Sequence, residues 1–196
     1  MSRFDIEAKD WDKNARRQAL AKAVAEGIID ALPPGKYDIL DVGCGTGLVS
    51  YNLTPIAETI VGIDTSAKMV ETFNAKSPSP LIQAYPKSLE ECEESFDLLV
   101  SSMTLHHIQN IEDFFKEAAE RASYLFIADL FEEDGTFHDK GNEGVYHFGF
   151  DPKILTDLAK RAGWEKIYDK QIFTIQKHRD FPIFLLGFKR EDHGTI

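Results

Sequence analysis

The stretch Tyr37-Asp38-Ile39-Leu40-Asp41-Val42-Gly43-Cys44-Gly45-Thr46-Gly47, running on into Leu48 to Leu53, decides the fold. Its first six residues make a short, mostly apolar strand candidate. Glycines at alternate positions then form a turn, and the apolar run that follows can continue as a helix. A strand that delivers Gly43, Gly45 and Gly47 into a helix N-terminus is a backbone cradle, because absent side chains let a ligand approach and the helix amides face it. Dinucleotide loops follow G-x-G-x-x-G, whose third glycine would fall at position 48, where this chain has Leu48.

Two acids narrow the ligand. Asp41 precedes the first glycine by two residues; a carboxylate there is unfavourable beside a pyrophosphate and favourable beside a cation such as an α-ammonium group. A second strand candidate, Thr59 to Asp64, ends on an acid about twenty residues past the glycines, where a carboxylate can accept both hydroxyls of a ribose. A ribose, a cationic head and no phosphate describe S-adenosyl-L-methionine (S-adenosylmethionine) better than any dinucleotide. Each acid also has a local reading: Asp64 as N-cap of the next helix, and Asp41 as a hydrogen-bond partner of the glycine turn.

Outward from this unit the pattern repeats. A helix is predicted from Asn14 to Leu32, stopped by Pro33-Pro34-Gly35, and a second from Ala67 to Ala75. Strands are predicted near Leu81 to Ala84, over Phe96 to Ser101 and over Tyr124 to Asp129, with a helix from Ile111 to Ala122 between the last two. Strands apolar on both faces suit a parallel sheet covered by helices on both sides. A helix opening at Pro152 and capped by Gly163 precedes two strands, Trp164 to Ile175 and Phe181 to Lys189, too close for a crossover helix and therefore a hairpin. The expected fold is α/β, a Rossmann-like doubly wound sheet of seven mostly parallel strands with a C-terminal antiparallel hairpin. One domain is expected over 1–196, with 1–32 an N-terminal helical lid or appendage and 130–150 a loop on the substrate side.

Composition bounds the rest. The 196 residues are 43% hydrophobic, enough for one sizeable core. Twenty-two basic against 33 acidic residues leave a net charge of −11, which on balance repels nucleic acid and anionic membranes. No apolar run approaches the roughly 18 residues of a membrane span. Two cysteines, Cys44 and Cys92, make no disulfide scaffold and lack metal-ligand spacing. A cytoplasmic protein with no metal, no nucleic-acid or membrane partner and a small-molecule substrate is expected; its oligomeric state is left open.

From Tyr37 through Phe188 the chain resembles the class I S-adenosylmethionine-dependent methyltransferases. The resemblance is carried by Ile39 to Gly47, by Val61-Gly62-Ile63-Asp64-Thr65-Ser66 with Met69, and by Ser95 to Ser102 running into Leu105-His106-His107. It implies that Asp41, Gly43, Cys44 and Gly45 flank the methionyl part, that Asp64 binds the ribose, and that Thr65 and Met69 line ribose and adenine. Ser101 is then expected to contact the amino-acid end through its backbone. The chain departs from the family pattern after the third strand: the adenine-facing acid is replaced by Tyr85, with Gln83 as the nearby alternative.

For the acceptor side, His138 and His147 lie in the aromatic- and glycine-rich segment after the fifth strand, and His107 follows the fourth. Each is a candidate base; His106 and His107 are equally read as packing for the turn. Trp11, with Phe4, is either core packing or a cover over the cofactor. A sulfonium methyl is already activated, so positioning and exclusion of water could suffice for transfer. A non-catalytic S-adenosylmethionine-binding regulator fits the same motifs; a nicotinamide-dependent oxidoreductase fits them less well because of Leu48 and Asp41.

Overall fold

The computed structural model describes residues 3–139 and 141–191; the remainder of the expected domain span 1–196 lies outside the described residues. Seven strands form one sheet: β1 (Tyr37–Val42), β2 (Ala57–Ile63), β3 (Ile82–Tyr85), β4 (Phe96–Ser102), β5 (Ala122–Leu130), β6 (Trp164–Gln176) and β7 (Asp180–Arg190), in the order β3-β2-β1-β4-β5-β7-β6. The first five are parallel, and β7 runs antiparallel between β5 and β6. The strand order reverses between β1 and β4, which puts a crevice at the C-terminal ends of those strands.

Alternation along each strand sends neighbours to opposite faces. Ile39, Leu98, Val100, Phe126 and Leu185 join one core cluster, and Leu40, Leu99, Leu125, Ile127 and Leu186 join the other. The first face is covered by helices α2 (Ala15–Ala31), α3 (Leu48–Asn52) and α4 (Ala67–Lys76), the second by α5 (Ile111–Arg121) and α6 (Pro152–Arg161). Side-chain caps fix the starts: Asn14 accepts from the Arg16 and Arg17 amides, Ser66 from Met69, Asn110 from Asp113, and Asp151 from Lys153 ahead of Pro152.

The expectation of an N-terminal appendage needs correction for α2. Its Leu20, Val24 and Ile28 are buried in the first core, and Gly27 approaches β7 so closely that a β-carbon there would meet Leu185 Cδ2 at 2.7 Å. What lies outside the core is the short lead before it, α1 (Arg3–Glu7) and a 3₁₀ segment (Ala8–Lys13). After β5, the described residues up to Phe150 form no helix or ladder strand, but they are tied down. Glu132 and Glu133 amides donate to the Phe150 and Phe148 carbonyls, while Arg179 holds Asp134 and Lys177 holds Asp139.

Candidate functional site

A cavity of about 530 Å³ opens at the C-terminal ends of β1, β2 and β4, the crevice that the strand order dictates. The glycine turn forms its floor. Gly43 has φ +71° and packs on Thr104, and Gly45 has φ +53° with open space where a β-carbon would project. The backbone is thus left-handed at both positions, and at Gly45 the missing side chain leaves room for a ligand.

Asp41 lines the cavity at 2% exposure and accepts a 2.6 Å hydrogen bond from Ser50 Oγ of α3. Burial pushes its carboxyl up to about 6; the Ser50 bond pulls the other way. Asp64, just past β2, also lines the cavity. Its Oδ2 accepts from the Gly45 amide at 2.9 Å and its Oδ1 from the Ser66 amide at 2.8 Å. Burial raises its pKa as well, against the lowering effect of those two bonds. Asp64 is not the helix cap, since Ser66 fills that position. Among the described residues neither acid has a cationic side-chain partner.

The lead before α2 lies over this floor. Ser66 Oγ donates to Asp5, Thr46 Oγ1 donates to Asp12 at 2.5 Å, and Lys76 pairs with Asp12. Phe4 and Trp11 both border the cavity, with the Arg17 guanidinium 3.4 Å from the centre of the Trp11 ring. Cys44 also borders it; burial, with Asp41 and Asp64 nearby, raises its thiol pKa well above the usual value, which disfavours the thiolate.

Of the residues singled out from the sequence, the cavity collects Trp11, Asp41, Gly43, Cys44, Gly45, Asp64, Thr65, Met69 and His107. It does not collect Tyr85, Ser101, His138 or His147. Tyr85 ends β3 at 45% exposure and is not among the lining residues, and Gln83 donates to the Ser79 carbonyl at 3.5 Å; Lys87, Ser88 and Leu89 border the cavity. Ser101 is fully buried inside β4, whereas Ser102 and Met103 reach the cavity. His147 Nε2 lies 3.0 Å from the Ile108 carbonyl and pins its segment to the turn after β4. His138 packs against His106 and His107. Phe4, named with Trp11 from the sequence, lines the cavity too; Thr46 and the Lys87–Leu89 stretch were given no role, and of these only Thr46, inside the glycine motif, carried a sequence signal.

Residues 40–121 match the family described as a methyltransferase domain. An uncharacterised methyltransferase of Schizosaccharomyces pombe is 35% identical over 147 residues, covering 63% of this chain and 52% of that protein. The ubiquinone biosynthesis O-methyltransferase of Pelagibacter ubique is 33% identical over 142 residues, covering 61% and 59%. The chain therefore spans little more than half the length of these relatives. Magnesium protoporphyrin IX methyltransferase from Synechocystis, solved with S-adenosylmethionine bound, superposes with a TM-score of 0.65 at 18% identity, covering 90% of this chain and 80% of that one. The chain thus carries a methyltransferase domain and has the class I, S-adenosylmethionine-dependent methyltransferase fold.

Proposed function

We propose that this protein is an enzyme that transfers a methyl group from S-adenosylmethionine to a small-molecule acceptor. The observation that carries the reading is the pair of cavity carboxylates, Asp41 and Asp64, desolvated and without a cationic side-chain partner among the described residues. Such a floor favours a cationic, hydroxyl-bearing ligand and repels phosphate. Each oxygen of Asp64 holds one backbone amide and retains a further lone pair with which to accept a ribose hydroxyl. Asp41 stands toward the ammonium end, Gly43, Cys44 and Gly45 leave room for the methionyl chain, and Thr65 and Met69 flank the ribose and base. Ser88 and Leu89 take the adenine-side position that Tyr85 was expected to fill. Phe4 and Trp11 close over the cavity and exclude water.

S-adenosylmethionine supplies a sulfonium methyl already activated toward in-line displacement. The chain's part is to hold the acceptor atom about 3 Å away and aligned. We assign contact with the acceptor to His107, the one of the three candidate histidines that borders the cavity. His138 and His147 act indirectly, by shaping the 130–150 segment, which we place on the substrate side. The ubiquinone-pathway relative is named an O-methyltransferase, and an oxygen acceptor on a small, neutral or cationic molecule suits a chain of net charge −11. No described helix is long and apolar enough to cross a membrane, and we place the enzyme in the cytoplasm as one domain, with no nucleic-acid partner.

Calorimetry with S-adenosylmethionine, S-adenosylhomocysteine and NADH tests the ligand, and label transfer from methyl-labelled S-adenosylmethionine to a panel of phenols and amines tests the reaction. Binding of NADH in preference to both nucleosides would overturn the assignment. Nucleoside binding with no transfer across the panel would favour the regulator instead.

A further inference from the structure

Three imidazoles that no cofactor role uses meet behind the mouth of the cavity. His106 and His107 sit in the 3₁₀ turn after β4, and His138 comes from the segment after β5. Their ring centres are 4.1, 5.2 and 5.7 Å apart. One nitrogen from each can be chosen so that all three lie within 4.8 Å of one another.

The hydrogen bonds around the cluster set the rings for ligation. The fully buried Asp129 places Oδ1 2.7 Å from His106 Nδ1, accepts the His106 amide on Oδ2 at 3.2 Å and is itself fixed by the Leu130 amide. A carboxylate on one ring nitrogen holds the proton there and makes the other a better donor to a metal. His107 Nδ1 lies 2.8 Å from the Gly144 carbonyl; a carbonyl can only accept, so this nitrogen carries hydrogen and the lone pair of the neutral ring falls on Nε2. Two of the three rings are thus held by partners that fix the tautomer a metal requires.

We propose that His106, His107 and His138 form a binding site for one divalent transition-metal ion of the zinc class. Three neutral imidazoles are borderline donors that suit Zn²⁺, Co²⁺ or Ni²⁺ and not the oxygen-seeking Mg²⁺ or Ca²⁺. Zinc–nitrogen bonds of about 2.0–2.1 Å in a tetrahedral site bring ligands to roughly 3.4 Å from one another, so the rings close by about an ångström on binding, a movement available to His138 through its own side-chain torsions. Three protein ligands leave a fourth position, and because His107 also lines the large cavity, that position adjoins the space assigned to the acceptor. Ligation of an acceptor oxygen there rests on the methyltransferase reading; the metal site itself does not.

The test uses the full-length, untagged protein stripped with a chelator and dialysed. Calorimetry with Zn²⁺ alone is expected to show one site, and Co²⁺ to give the visible absorption of a tetrahedral, nitrogen-rich site. His138→Ala and His107→Ala are each expected to lower affinity at least 100-fold, and Asp129→Asn 10- to 100-fold through the outer shell. His178→Ala, outside the cluster, is expected to bind like the parent. Far-ultraviolet circular dichroism identifies any variant that fails to fold. Since His106 is the most buried of the three, the exposed-side variants carry the decision. Zn²⁺ binding no tighter than millimolar, or equal binding by a folded His138→Ala variant, would overturn the proposal. No nucleoside enters these measurements, so their outcome is separate from that of the methyl-transfer assay.

Discussion

Asp64 Oδ2 accepts the Gly45 amide at 2.9 Å, so the acid at the end of β2 is fastened to the glycine turn at the end of β1. One carboxylate therefore sets the loop and faces the cavity. Asp64→Ala is expected to lower S-adenosylmethionine affinity by about 1–3 kcal/mol for the hydrogen bonds left unmade, and to lower the melting temperature because the Gly45 and Ser66 amides lose their acceptor. Calorimetry and thermal unfolding of the same preparation separate the two. Parent-like affinity in a folded variant would remove Asp64 from the ligand.

Asp41 predicts a conflict between stability and function. Its pKa is raised from 3.8 to about 6 by burial, so between those values the native protein holds a proton that the unfolded chain has released. Stability contributed by this group consequently falls as pH rises through that window and stays low above it. Asp41→Asn relieves the penalty while retaining an acceptor for Ser50. At pH 7–8 it is expected to be more stable by up to roughly 2–3 kcal/mol, with no gain below about pH 4. The same variant is expected to bind S-adenosylmethionine more weakly at pH 7, and its affinity is expected to change less between pH 5 and 7 than that of the parent. Denaturant titrations across pH and calorimetry at both ends check both signs.

Gly43 and Gly45 share a backbone region but differ in what surrounds them. A β-carbon at Gly43 would come within 2.2 Å of Thr104 Oγ1, whereas at Gly45 no atom lies within 4 Å. Gly43→Ala is expected to cost on the order of 3 kcal/mol of stability through overpacking plus strain. Gly45→Ala is expected to cost about 1–2 kcal/mol, the left-handed strain alone, while lowering ligand affinity at least tenfold. Equal affinity loss in both folded variants would contradict a ligand seated on Gly45.

Trp11 is held by Arg17 stacked 3.4 Å from its ring centre and by Phe4 at 6.0 Å. Removing the ring by Trp11→Ala opens the cover without touching the carboxylates. Stopped-flow measurements are expected to show faster release of S-adenosylmethionine with a smaller change in its association rate. An unchanged release rate would make Trp11 packing only.

His147 and His107 separate positioning from contact. His147→Ala breaks the tie to the Ile108 carbonyl and is expected to raise the acceptor KM while leaving S-adenosylmethionine affinity intact and kcat within a few-fold. His107→Ala is expected to lower kcat by about 10²-fold or more, because the group that positions the acceptor at the cavity is lost. A His147→Ala variant indistinguishable from the parent in acceptor KM would release the 130–150 segment from the substrate side.

The strands were legible because burial on both faces dictates short, nearly continuous apolar runs: β1 was expected at Tyr37 to Val42 and is found there. The glycine turn and its two acids were legible because close backbone approach and charge restrict residue choice. Beyond β3 that restriction lapses. The Lys87–Leu89 stretch contributes to the cavity by position in an irregular turn, and no spacing rule distinguishes it from Tyr85. Ser101 and Ser102 differ by one residue at a strand end, where adjacent positions reach different surroundings. His138 meets His106 only because β5 returns beside β4, a long-range juxtaposition that local spacing does not encode.

Gly27 rests against Leu185, and β7 fills the gap between β5 and β6. During synthesis, then, the apolar stripe of α2 emerges early and waits for a strand made more than 150 residues later. Until residue 190 clears the ribosome the sheet is open along β5, and the nascent chain presents that edge to chaperones and proteases.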